Sequence, residues 1–139
     1  LEHRALIASR DRLGVTALMY AARAGNVDAI NTLLGAGAKI EDQDQAKWTA
    51  LTWAVRKKFV LAAKALIDKG ADVNHKDNEG TPLLHNAVWN KDAAMVELLI
   101  KSGANVKTKD QYGLTALVHA LKEQQPEIVK MIKDAGGNY

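Results

Sequence analysis

The chain has 139 residues, 47% of them hydrophobic and 25% charged, the balance of a folded globular protein and not of a disordered one. A net charge of +3 is too weak by itself to point to nucleic acid, and the absence of cysteine excludes disulfides, a thiol nucleophile and thiolate metal ligands. No apolar run approaches the ~18 residues that cross a membrane, and only two serines, Ser9 and Ser102, are available for serine chemistry.

A 33-residue period orders everything that follows. Asp11, Asp44, Asp77 and Asp110 share it, and so do Leu18, Leu51, Leu84 and Leu117, then Ala21, Ala54, Ala87 and Ala120, then Gly37, Gly70, Gly103 and Gly136. In the first unit, Asp11-Arg12-Leu13-Gly14 reads as a turn: an aspartate that caps locally, then a glycine free to take positive φ. Thr16 to Ala22 is small and apolar, suiting a helix pressed closely on its neighbours, and Gly25-Asn26 breaks it. Val27 to Leu34 resumes with helical spacing at Ile30, Leu33 and Leu34, and Gly37 stands where a left-handed cap belongs. Helices this short are not stable alone, so each must bury its apolar face against the next unit.

The pattern Asp11-x-x-Gly14-x-Thr16-Ala17-Leu18-x-x-Ala21-Ala22, then Leu33-Leu34-x-x-Gly37-Ala38-x-Ile40, recurs in Leu66-Ile67-x-x-Gly70-Ala71-x-Val73-Asn74 and Leu99-Ile100-x-x-Gly103-Ala104-x-Val106. It resembles the ankyrin repeat family over essentially the whole chain. The resemblance implies an all-α solenoid of stacked helix-turn-helix units with projecting β-turn or hairpin fingers. It implies a single domain, 1–139: a partial repeat over 1–10, then repeats over 11–43, 44–76, 77–109 and 110–139. Leu1 to Ile7 aligns with Leu34 to Ile40, so the chain is expected to begin inside a unit, as a fragment does. Lys133, in the register of Leu34, Ile67 and Ile100, is expected to face solvent in a terminal cap.

Departures from the pattern carry their own expectations. Lys47 replaces the finger glycine, and Lys58, Lys91 and Gln124 replace the glycine between the helices. Left-handed geometry at these positions would cost about 1 kcal/mol each relative to glycine. Pro82 lies in the register of Thr16, Thr49 and Thr115; either it takes the threonine's place, or a deletion before it is balanced by an insertion after.

The resemblance also says where partners are contacted, on variable positions of a concave face. These are Arg12, Leu13, Val15 and Arg23 in the first unit, and Gln45, Trp48, Arg56 and Lys57 in the second. The third supplies Lys76, Asn78, Trp89 and Asn90, and the fourth Gln111, Tyr112, Leu114 and Lys122. With Arg10, Ala24, Gln43, Ala46, Glu79, Thr81, Lys109 and Glu123 the set holds eight basic residues against two acidic ones, so positive charge concentrates on this face. Trp48, Trp89 and Tyr112 are the expected anchors, and Arg12, Arg23, Arg56, Lys57 and Lys76 the steering charges. A structural alternative stands beside this for Trp48 and Trp89: tucking against the finger, or folding over the helix end. Tyr20 and Trp53 are read as packing.

The histidines His3, His75, His85 and His119 show no pair at i, i+4, and no carboxylate arrangement supports a metal site. The resemblance gives His85 a structural bond to neighbouring loop backbone, with His119 one step along the adjacent helix. The four repeat aspartates read as turn formers rather than acids or bases, and Arg56-Lys57-Lys58 is too short for a nucleic-acid motif. The expectation is a non-catalytic module without metal or cofactor that binds an acidic protein surface, not a membrane. An inhibitor or sequestering protein for an enzyme is the specialisation the family implies. The alternative is an anionic polymer or single-stranded nucleic acid on the same face. Self-association and compartment, cytoplasmic or exported, stay open.

Overall fold

The computed structural model describes residue 7 and residues 9–138, so most of the partial repeat expected over 1–10 lies outside the described residues. Two compact units divide the chain, Leu1–Asp72 and Val73–Tyr139. The first holds α1 (Ala17–Arg23), α2 (Val27–Gly35), α3 (Ala50–Arg56) and α4 (Val60–Asp68). The second holds α5 (Leu83–Trp89), α6 (Ala93–Lys101), α7 (Ala116–Lys122) and α8 (Pro126–Asp134). All regular structure among the described residues is helical, apart from isolated bridges at Arg10–Thr16, Lys76–Pro82 and Lys109–Thr115 that close the fingers. Within each unit two helix pairs stack: α1 on α3 and α2 on α4, then α5 on α7 and α6 on α8.

The period explains the packing. The repeated leucines Leu18, Leu51, Leu84 and Leu117 are at most 3% exposed, each worth about 1.5–3 kcal/mol of burial. Ala54, Ala87 and Ala120 are wholly buried, and small side chains in this register let the first helices within each unit approach, α1 to α3 and α5 to α7. The second helices bury Ile30, Leu66, Leu99 and Ile132. Lys133, at the end of α8, is exposed.

Each finger is one turn drawn four times. The amide of the fourth residue donates to the aspartate carbonyl, from Gly14, Lys47, Gly80 and Gly113. The aspartate Oδ1 accepts two further amides: Leu13 and Val15 at Asp11, Ala46 and Trp48 at Asp44, Glu79 and Thr81 at Asp77, Tyr112 and Leu114 at Asp110. A carboxylate two and four residues from unsatisfied amides is the cheapest way to close such a turn.

Between the helices the chain reverses through one left-handed residue. Lys58, Lys91 and Gln124 take φ of 66°, 55° and 54°, and Lys47 takes 59° in its finger. At Gly25, the equivalent of Lys58, a Cβ would lie 2.7 Å from Cδ1 of Phe59, so glycine answers both the φ of 69° and the close approach. Replacing Lys58 or Lys91 by glycine removes left-handed strain and adds back some unfolded-state freedom, leaving a gain of a few tenths to about 1 kcal/mol. The thermal midpoint followed by circular dichroism should rise in both variants; a fall in both refutes the strain.

Pro82 sits directly in the threonine register. It is the N-cap of α5 with the extended φ and ψ of −72° and 154°, as Thr16 and Thr49 are for α1 and α3, so no deletion and insertion are involved. Thr16 and Thr49 accept the Met19 and Thr52 amides on their hydroxyls; Pro82 has none, and α5 lacks a side-chain cap. His85, in the register of Thr52, is 1% exposed with Nδ1 unpartnered. Pro82→Thr supplies a hydroxyl to both groups and should stabilise by about 1 kcal/mol after the lost proline rigidity is subtracted. An urea midpoint at or below wild type would overturn that account.

Candidate protein-binding surface

In the first unit the surface is built around two tryptophans. Trp48 ends the second finger, one residue before the N-cap of α3, and Trp53 follows in that helix. Their rings meet edge to face, with centroids 4.6 Å apart at 66°. The Arg56 guanidinium lies 4.2 Å above the Trp48 ring, and the Arg23 guanidinium 5.5 Å from that of Trp53. Trp53 donates through Nε1 to Oδ2 of Asp44 at 3.1 Å, tying the helix to its finger. The result is a four-member row, Arg56–Trp48–Trp53–Arg23, with both arginines exposed at its ends and Trp48 half-buried.

The other expected contact positions in this unit divide by chemistry. Arg12, Leu13, Gln45 and Lys57 are exposed, but Gln45 uses its side-chain amide to donate to the Arg12 carbonyl at 2.9 Å, bonding finger to finger. Val15 corrects the sequence reading. It is 6% exposed, turned into the core beside the N-cap of α1, and has no side chain to offer a partner. Tyr20 also departs from expectation: it is 46% exposed, and its hydroxyl donates to Oδ2 of Asp11. That bond, followed by the Val15 amide, holds the Asp11 carboxyl below its usual range, while Asp11 pushes the Tyr20 hydroxyl up.

Among the described residues of the second unit, Trp89, Tyr112 and Leu121 are the large exposed apolar side chains, at 37%, 72% and 38%. Asn78, Lys76, Gln111 and Lys122 are exposed, whereas Asn90, the C-cap of α5, and Leu114 are half-buried. The Lys76 ammonium donates to the Lys109 carbonyl at 3.4 Å. Trp89 stands in the register of Arg23 and Arg56, and its ring meets His119 of α7 edge to face at 5.1 Å and His85 at 6.1 Å. The pairing repeats the one in the first unit, where Arg23 meets Trp53: the end of one first helix covers the middle of the next.

Beneath Trp89 the structure brings His85 and His119 together with Asp110. His119 Nε2 lies 2.6 Å from Oδ2 of Asp110, and His85 Nε2 lies 3.9 Å from the same oxygen and 2.9 Å from the Leu114 carbonyl. Burial pushes the His85 imidazole below its usual range, with the charges of His119 and Lys76 acting in the same direction. Burial would raise Asp110, but the Leu114 amide, His119 and the Tyr112 amide outweigh it and hold the carboxyl below its usual range. The sequence shows no carboxylate arrangement around the histidines; the structure supplies one, because the finger aspartate Asp110 folds back onto the helix nine residues later. A signal for it was present: Tyr20, Trp53 and His119, each nine residues after its aspartate, all carry a donor.

Paired short helices, four aspartate-anchored fingers and a 33-residue period define a helical repeat protein. The chain belongs to the ankyrin-repeat family: residues 18–110 and 63–139 match the family model for ankyrin repeats (3 copies). No curated protein matches the chain significantly. Ankyrin repeats are generally protein–protein interaction modules, and the family is typically non-catalytic. No helix among the described residues is long and apolar enough to cross a membrane.

Proposed function

We propose that the chain is a non-catalytic module that grips an acidic surface of a partner protein. The single observation that supports it best is the Arg56–Trp48–Trp53–Arg23 row. Arginine stacked on an aromatic face keeps its fork of donors oriented, so less rotamer freedom is lost when a carboxylate docks. Trp48 offers apolar area beside that charge in the first unit, and Trp89 and Tyr112 expose further apolar area in the second. Arg12, Lys57 and Lys76 steer approach rather than anchor it.

As an inhibitor, the module would lower a captured enzyme's rate in proportion to occupancy, so an activity assay on the captured partner reads that role directly. A second reading, an anionic polymer, draws on the same row, since nucleobases stack on tryptophan beside guanidinium. Capture from a native lysate followed by a salt series separates the two. A protein partner held by aromatic anchors should weaken modestly with salt, while a polymer should weaken in proportion to log salt with a steep slope.

A further inference from the structure

We propose that His85, Asp110 and His119 form a binding site for a zinc-type divalent transition-metal ion. Their three donor atoms lie within 4.8 Å of one another. A tetrahedral ion about 2.0–2.1 Å from each donor asks for donor pairs about 3.3 Å apart. The observed separations of 2.6 Å for His119 Nε2 and 3.9 Å for His85 Nε2 from Asp110 Oδ2 bracket that value, and the two imidazole nitrogens lie within 4.8 Å of each other, so the side chains must shift to draw all three donors onto one ion.

The surroundings suit a metal as well as the donors do. The side chains of His85, Asp110 and His119 are 1%, 0% and 13% exposed, so the three donors carry little hydration for an ion to displace. The amides of Tyr112 and Leu114 fix the carboxylate through Oδ1, the outer-shell orientation that ligating carboxylates use. His85 Nε2–H donates to the Leu114 carbonyl at 2.9 Å, a hydrogen bond that the ion would replace. Metal binding requires each Nε2 to surrender its proton. At His85 the proton can move to Nδ1, which no donor occupies because Pro82 carries no hydroxyl. Two imidazoles with a carboxylate favour zinc over magnesium or calcium, which prefer all-oxygen shells.

The test uses the whole chain, stripped with a chelator, and zinc chloride as the probe. Calorimetry should find one equivalent bound with a dissociation constant of about 1 μM or tighter, and zinc should raise the thermal midpoint. His119→Gln keeps a donor for Asp110 but removes the imidazole, and should weaken binding at least about tenfold. Should that variant fold poorly, ring-proton spectra of the wild-type chain decide, with zinc shifting the signals of His85 and His119 and leaving His75 unmoved. No binding at zinc of about 100 μM, affinity unchanged in His119→Gln, or shifts confined to the other histidines would overturn the site.

Discussion

Asp110→Ala should cost about 3 kcal/mol of stability, most of what a small repeat unit can lose in one substitution. Its carboxylate is fully buried, accepts the Tyr112 and Leu114 amides at 2.9 and 3.0 Å, and faces His119 at 2.6 Å. Alanine leaves two amides and an imidazole facing a cavity in a place water reaches poorly. Asp110→Asn keeps an oxygen for the amides and an amide group opposite His119, so it should cost well under half as much. Asp11→Ala should cost far less still, because Asp11 makes the same turn but lies exposed, where water replaces it. Urea unfolding of the three variants followed by circular dichroism gives the ranking. Equal losses for Asp11→Ala and Asp110→Ala would mean that the turn, not the buried triad, sets the effect.

Trp48→Ala should weaken binding to the captured partner about thirtyfold or more, chiefly through faster dissociation. Removing the ring takes away the anchor and the face on which Arg56 lies at 4.2 Å, so one truncation disorders a charge as well. Arg56→Ala should therefore fall short of additivity with Trp48→Ala, since each already loses part of the same contact. Arg12→Ala or Lys76→Ala should instead slow association and flatten the salt dependence. Lys64→Ala and Lys101→Ala serve as controls: both lysines are exposed and paired with Asp68 and Glu97 one turn away along their own helices. A surface-plasmon series in which the controls abolish binding and Trp48→Ala leaves it intact overturns the assignment.

The residues that spaced the fold were those whose role depends on one neighbour in the chain. Asp11, Gly14, Thr16 and Gly37 act within a few residues of themselves, so the period, the turns and the helix ends could be read from order alone. Lys58 and Lys91 were equally legible, because a left-handed turn constrains the backbone whatever side chain stands there.

What the linear order left undecided depends on reach. Val15 and Trp48 occupy the same variable position of successive repeats, yet Val15 is short and apolar and turns inward while Trp48 stays half-buried at the surface on Trp53. Pro82 could be placed only once its cap geometry was seen. His85, Asp110 and His119 come together because a finger aspartate of one repeat folds onto its own helix while the preceding repeat's helix packs against it. The sequence by itself determined the repeat, its caps and its apolar register, since those are local or strictly periodic. Only the tertiary structure decided which polar side chains share a site, since that is set by helices from different repeats packing side by side.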